Sequence, residues 1–370
     1  MNTEYVEHHK IFECIIGSTA YGTNTPESDI DESGVMIPDI SYFYGLNRFD
    51  QYQDYDNDKT IYDFRKIIRL ISENNPNCLD LLYCPDRCIK FITPYWQKVM
   101  DNKDLFLSKK CFYTYSGYAY AQLHRIKNHR VYLLNPPKGK PERFDFGLKE
   151  FSIFQTSQLK SLIDIESLFE YIDPSKKEEF LNQLDSTYAD QIIPIFNKYL
   201  NPDKKMFSLQ FIQNTLNTQL KTFRSLGNNG YVKEEYQDEV EKELKYQGAL
   251  HNWKQYENWK KNRNDKRFQL ESKYGFDTKH SMHLIRLMKM CKEILSKNTV
   301  YVDRTNIDAN ELKNIRNGSL KYDDLIEYAN KLEEECKVLY ETSTLQKIPQ
   351  FDKINELCVE IIKQYQKDNK

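Results

Sequence analysis

Residues 11–38 read IFECIIGSTAYGTNTPESDIDESGVMIP, and the order of features in this stretch decides the fold. An apolar run, Ile11 to Ile16, ends at the small pair Gly17-Ser18. A second apolar run, Val35 to Ile37, follows two carboxylates one residue apart, Asp29 and Asp31. Extended backbone points residues two apart to one face, so Asp29 and Asp31 project together and Ile30 faces the other way. Two carboxylates that close repel each other unless a cation lies between them. A divalent metal is the natural occupant, and Mg²⁺ is commonly held by one or two carboxylates plus substrate phosphates. Gly17 lets backbone approach a ligand, and Ser18 at a helix start turns N–H groups toward anions. A phosphate grip and a metal grip are thus expected side by side. Each piece alone is ordinary turn chemistry; strand, Gly-Ser, fixed gap, Ser-Asp-x-Asp and strand together carry the reading.

Composition fits an enzyme-sized chain. There are 370 residues, 29% charged and 39% hydrophobic, which is enough for two modest domains. No apolar stretch approaches the ~20 residues of a membrane span, and MNTEYVEHHK has no signal-peptide pattern. The eight cysteines form no CxxC pair, and the CxxxC of Cys84 and Cys88 has no second pair beside it, so reduced thiols are expected. A cytoplasmic protein without a membrane partner is the expectation. Net charge is −2, but residues 1–63 hold 13 acidic and 3 basic side chains, while 64–150 hold 8 acidic and 16 basic. An acidic module joined to a basic one suits a polyanion approaching a metal centre.

Short apolar runs alternate with turn residues through about residue 60, as strands do. Asp63 has the position of an N-cap, and Phe64, Ile67, Ile68 and Ile71 follow at helical spacing, with Arg65, Lys66 and Arg69 opposite. Asn75-Pro76-Asn77 breaks that helix and a short one follows. Beyond about residue 100 helical patterning dominates. Residues 113–130 read as a helix ending in His124, Arg125, Lys127, His129 and Arg130, before a Pro- and Lys-rich loop at 133–148. Basic residues interleaved with aromatics there suit nucleic acid as well as they suit a plain connection. In the charged stretch 231–270, Trp253, Tyr256 and Trp259 fit one helix face that packs against the body. Lys279, His283 and Arg286 fall at i, i+4 and i+7, beside an apolar stripe of Leu284, Leu287, Met288 and Cys291. His280 and His283, at i and i+3, invite a metal reading, but no third ligand is near them in sequence. Arg316-Asn317-Gly318 has the form of a helix stop.

The motif G-S-x-A-Y-G-T followed by S-D-x-D resembles the nucleotidyltransferases of the DNA polymerase β superfamily. Within it the chain most resembles RlaP, the RNA-repair-pathway polymerase β family. DKTIYDFRKIIRLISENNPNCLDLLY (58–83), KHSMHLIRLMKMCKEIL (279–295) and LKNIRNGSLKYDDLIEYA (312–329) resemble that family's further motifs. The resemblance covers about 11–85 and 275–340 well and 110–160 more loosely. It implies an α+β fold, with a catalytic domain at 1–100 built on a short mixed sheet with helices. A mostly helical region at 101–370 would carry a nucleotide clamp and substrate surface, with about 165–270 as an insertion.

It also implies a third metal-binding carboxylate on a neighbouring strand. Asp58 matches best; Asp63 is the rival but looks like an N-cap, and Asp54 and Asp56 lie further off. Asp29, Asp31 and Asp58 would hold two Mg²⁺, with Mn²⁺ an alternative. Gly17 and Ser18 would contact the β/γ phosphates. Ser28 would assist or only shape the turn, and Lys279, His283 and Arg286 would clamp the triphosphate. The implied partners are an NTP and RNA, a tRNA or another structured RNA, as acceptor. A protein hydroxyl, as in AMP-transferring antitoxins, and a decayed binding protein are the alternatives.

Overall fold

The computed structural model describes residues 3–152, 172–176, 237–263 and 265–369, with a few isolated positions between. By its internal contacts the chain divides into two units, 1–134 with 265–370, and 135–264. The insertion expected at about 165–270 lies mostly outside the described residues.

The first unit opens with helix α1 (Thr3–His9), strand β1 (Lys10–Ile15), a short helix α2 (Gly17–Tyr21) and strand β2 (Glu32–Met36). Helix α3 (Ser41–Tyr44), strands β3 (Gln51–Asp54) and β4 (Lys59–Asp63), helices α4 (Phe64–Ser72) and α5 (Pro76–Leu82), strand β5 (Ile89–Ile92) and helices α6 (Pro94–Asp101) and α7 (Lys110–Leu134) follow. In the second unit the long described helix is α8 (Gln237–Lys261). The chain then returns to the first unit through α9 (Asp265–Tyr274), α10 (Thr278–Lys297), α11 (Ala309–Arg316), α12 (Tyr322–Thr342) and α13 (Phe351–Asp368). The expected α+β architecture, a small mixed sheet followed by a mostly helical region, is what the chain forms.

The sheet runs β3-β4-β2-β1-β5. β1 is antiparallel to β2 and β5, β3 is antiparallel to β4, and β2 is parallel to β4. The parallel pairing sets Glu32 opposite Lys59 and Ser33 opposite Thr60. The residues just before these strands, Asp31 and Asp58, therefore lie side by side. One sheet face meets the main core through Phe12, Cys14 and Val35. On the other face Val6, Met36 and Ile61 form a small separate cluster. Glu13 lies near it, buried among Lys10, Lys59 and Lys90; burial opposes its charge, but Lys10 and Lys59 hold its carboxyl down at about 2.

Caps punctuate the helices where the sequence placed them. The Asp63 carboxylate accepts from the Lys66 N–H at 3.0 Å, and Phe64, Ile67, Ile68 and Ile71 are all buried. On the opposite face Arg65 stacks on Phe43 and Lys66 reaches Gln51. Asn75 caps α5 through the N–H groups of Asn77 and Cys78, with Pro76 at the first helical position. Gly318, at φ +85°, follows α11 as the expected stop.

Helix α10 is the hub of the helical layer, packing along α7, α11 and α12. Twelve of its twenty residues are buried, from Thr278 to Leu295. All eight cysteines are free thiols, seven of them buried. Among the described residues no helix is long and apolar enough to cross a membrane.

In the second unit, Arg143 forms a two-pronged pair with the fully buried Glu243 of α8. Trp253, Tyr256 and Trp259 share a half-buried stripe of α8, with Tyr256 stacked on Trp259.

Candidate active site

Gly17 begins the site. It turns the chain from β1 into α2 with φ +66°, and a side chain there would stand 2.5 Å from Asp31 Oδ2. Glycine is thus required twice, for the left-handed backbone and for the space beside the carboxylate. The Ile16 N–H donates to the Asp31 carbonyl at 2.9 Å, extending the β1/β2 ladder one step and holding Asp31 against the turn. Ile16 supplies no side-chain cap for α2, so no side chain at the N-cap takes up the first amides of the turn. Ser18 is the second residue of that turn and is half-buried.

Asp58 comes to Asp31 from the neighbouring strand. Its carbonyl accepts from the Glu32 N–H at 3.1 Å, and its φ of 45° makes the tight turn into β4. Aspartate is among the few side chains that adopt this conformation readily. Asp29 and Asp58 are exposed and Asp31 is half-buried. The Asp31 carboxyl is pushed above its ordinary range, first by burial and then by the charges of Asp58 and Asp29, while Lys279 pulls it down. Asp29, Asp31, Asp58 and Lys279 therefore share one electrostatic neighbourhood, although Lys279 lies far along the chain. Asp63 is not part of it: its carboxylate is committed to capping α4. Asp54 instead organises its own exposed turn, accepting from Asp56 and Asn57. Ser28 closes the turn before Asp29, its hydroxyl accepting from the Thr25 N–H at 2.9 Å.

Lys279, His283 and Arg286 do run along one side of α10, but that side descends from the surface into the core. Lys279 is exposed, His283 half-buried and Arg286 buried. His283 has its pKa driven well below the usual value by burial, then by Arg286 and Lys279, so its ring is neutral. Arg286 does not join the exposed cation. Its guanidinium lies 3.8 Å from the centre of the Tyr21 ring. The Tyr21 hydroxyl donates to Asp80, whose carboxyl burial pushes up to about 6 despite Arg286 nearby. The physical reason is crowding: neighbours surround α10 on most sides, and its middle turns face α2 and α5 rather than water.

Sequence reasoning missed this Tyr21–Asp80–Arg286 cluster, whose members lie inside three separate motifs. It also missed the outer support of α2. Arg87 donates to the carbonyls of Thr19 and Ala20 at 3.0 Å each and pairs with Asp303. The Arg304 N–H donates to the Tyr21 carbonyl at 3.1 Å. Gly22, at φ +68°, passes so close to Thr305 that a side chain would meet its hydroxyl at 2.3 Å. Charged residues this far apart carry no periodic signal linking them.

Asp31 lies within electrostatic reach of Asp58 and Asp29: its carboxyl is pushed up first by burial and then by their charges, and Gly17 keeps the space beside it clear. Oxygen donors of this kind suit a hard divalent ion, although as placed the three carboxylates do not form a set of donor atoms within 4.8 Å of one another.

The first unit thus joins a mixed sheet, a Gly-Ser turn and carboxylates just before two adjacent strands. Residues 2–134 match the family model described as RlaP, RNA repair pathway DNA polymerase beta family, the family that the sequence motifs resemble. Over 136 residues the chain is 24% identical to an uncharacterized 38.9 kDa protein in the nrdC-mobD intergenic region of Enterobacteria phage T4. That similarity spans 33% of this chain and 40% of the phage protein's length. No solved structure matches the chain.

Proposed function

We propose that the protein transfers a nucleoside monophosphate from an NTP to a hydroxyl acceptor, the 3′ end of an RNA. The observation that carries this reading is the convergence of Asp29, Asp58 and Lys279 on Asp31 beside the Gly17 turn. Asp29, Asp31 and Asp58 would hold two Mg²⁺, replaceable by Mn²⁺, which lower the pKa of the acceptor hydroxyl and neutralise the leaving pyrophosphate. The acceptor oxygen forms a bond to the α-phosphorus, the bond from that phosphorus to the bridging oxygen breaks, and pyrophosphate leaves with the electron pair.

The backbone amides at Gly17 and Ser18 bind the β/γ phosphates. Lys279 supplies a point charge to the same groups, a role that suits an exposed ammonium on a flexible stem. His283, neutral, would donate a hydrogen bond rather than a charge. Arg286 acts from behind, holding Tyr21 and with it the phosphate turn. Ser28 sets the approach of the chain to Asp29.

RNA is favoured as acceptor by two observations. The matching family is described by an RNA repair pathway, and residues 64–150 carry twice as many basic as acidic side chains. A protein hydroxyl would use the same donor site, since only the nucleophile changes. Incubating the chain with each α-labelled NTP, Mg²⁺ and either total RNA or protein extract separates the readings. Label in RNA supports the proposal, label in protein replaces the acceptor, and no label in either speaks for a non-catalytic binding protein.

A further inference from the structure

The metal reading invited by His280 finds its missing ligands far away in sequence. His129, near the end of α7, and Asp277, which caps α10, meet His280 within the first unit. One donor atom from each lies within 4.8 Å of the others. Asp277 is fully buried and divides its two oxygens between tasks. Oδ1 accepts from the His280 N–H at 2.9 Å, while Oδ2 faces both rings, 3.2 Å from His129 Nδ1 and 3.5 Å from His280 Nε2. The His129 and His280 side chains keep 16% and 13% of their surface exposed.

From these contacts we infer that His129, Asp277 and His280 form a binding site for a transition-metal dication of the Zn²⁺ type, separate from the catalytic carboxylates. The spacing fits. Bonds of about 2.1 Å to a tetrahedral ion put neighbouring donor atoms roughly 3.4 Å apart. The wiring of His280 fits as well. Its Nδ1 lies 2.7 Å from Gln122 Oε1, which can only accept, so Nδ1 carries the proton. With Nδ1 so engaged, Nε2 is the ring nitrogen that faces the Asp277 carboxylate, 3.5 Å from Oδ2. Fixing one ring nitrogen by a hydrogen bond so that the other can ligate is the usual support of a metal-bound histidine. Two imidazoles and one carboxylate suit Zn²⁺, and water would complete the coordination.

An ion here would tie the end of α7 to the first turn of α10. Asp277 and His280 bracket Lys279, so ligation would steady the segment from which Lys279 reaches the Asp31 neighbourhood. The binding site itself stands whether or not the chain transfers nucleotides.

The test uses the untagged, full-length chain carrying Asp29→Ala and Asp31→Ala, so that the catalytic carboxylates do not report. After removal of metals with a chelator, the chain is titrated with Co²⁺ and followed by visible d–d absorption and by elemental analysis. We expect a single equivalent bound, displaced by Zn²⁺, together with a rise in melting temperature. His129→Ala and His280→Ala should each abolish the absorption and the rise, with helical circular dichroism intact. If the His280 variant does not fold, His129→Ala, which leaves the α10 cap in place, decides alone. A folded parent that takes up no Co²⁺ would reduce the cluster to a His129–Asp277 ion pair and overturn the inference. Equal uptake by parent and His129→Ala would overturn it too.

Discussion

The bare Cα of Gly17 faces the Asp31 carboxylate so closely that an added methyl carbon would lie 2.5 Å from Oδ2. The Gly17 turn and the carboxylate proposed to hold metal are thereby built as one object. Neither can be altered without moving the other.

Gly17→Ala should therefore damage the site more than the fold. The left-handed backbone costs an alanine about 1–2 kcal/mol, and Asp31 must also swing away from the new methyl. Transfer activity is expected to fall by at least tenfold while the urea midpoint drops only modestly. Full activity in a folded Gly17→Ala chain would mean that Asp31 tolerates displacement.

Asp58 and Asp63 can be told apart by what each loss does. Asp63→Ala removes an N-cap, for which about 0.5–2 kcal/mol of stability is expected to go, with metal-dependent activity kept. Asp58→Asn, which tolerates the same left-handed turn, should leave stability nearly unchanged and abolish activity. Urea unfolding and an assay on the same two preparations settle it; the reverse pattern would exchange their roles.

Arg286 lies 3.8 Å from the Tyr21 ring centre and helps to neutralise a buried Asp80, so its removal should weaken the fold first. Stripping one partner from a buried charge pair costs roughly 3–5 kcal/mol. Arg286→Met is expected to show a correspondingly lower urea midpoint. Lys279→Ala should keep its stability and raise KM for the NTP severalfold, with a smaller change in kcat. Equal effects of the two variants on KM, without loss of stability at Arg286, would return Arg286 to direct phosphate contact.

The raised pKa of Asp80 gives a pH dependence with a definite sign. Folded, the carboxyl titrates at about 6; unfolded, near its ordinary 3.8. Between those values the native state holds the proton more tightly, so its contribution to stability declines as pH rises through this window and stays lower above it. Asp80→Asn should lack that decline, whatever its offset in absolute stability. Urea midpoints at intervals from pH 4 to 7, compared between wild type and variant, check this; parallel curves would place the Asp80 pKa near its ordinary value.

Much of the sheet and its adjoining helices was legible in the sequence because their signals are local. Alternating runs marked β1 and β2, Asp63 announced α4 by the side chain that caps it, and Asn75-Pro76-Asn77 marked the break before α5. The pair Asp29 and Asp31 was visible for the same reason. Asp58 was harder, since its nearness to Asp31 depends on the parallel pairing of β2 with β4 and on a left-handed turn. Arg286 shows the limit of helical periodicity. Spacing of i, i+4 and i+7 places three residues on one side of α10, but cannot say that this side enters the core after two turns. His280 shows the converse. Its companions, His129 and Asp277, come from the end of one helix and the cap of another, and only packing of α10 against α7 unites them.

The central claim is that Asp29, Asp31 and Asp58 act together as the metal-binding centre of nucleotidyl transfer. The direct test measures Mg²⁺-dependent transfer of label from α-labelled NTP by wild type and by the three single Asp→Asn variants, each checked for folding. Strong labelling by wild type that vanishes without Mg²⁺ and in every variant is the expected result. Labelling at wild-type level by any one of the three folded variants would contradict the account.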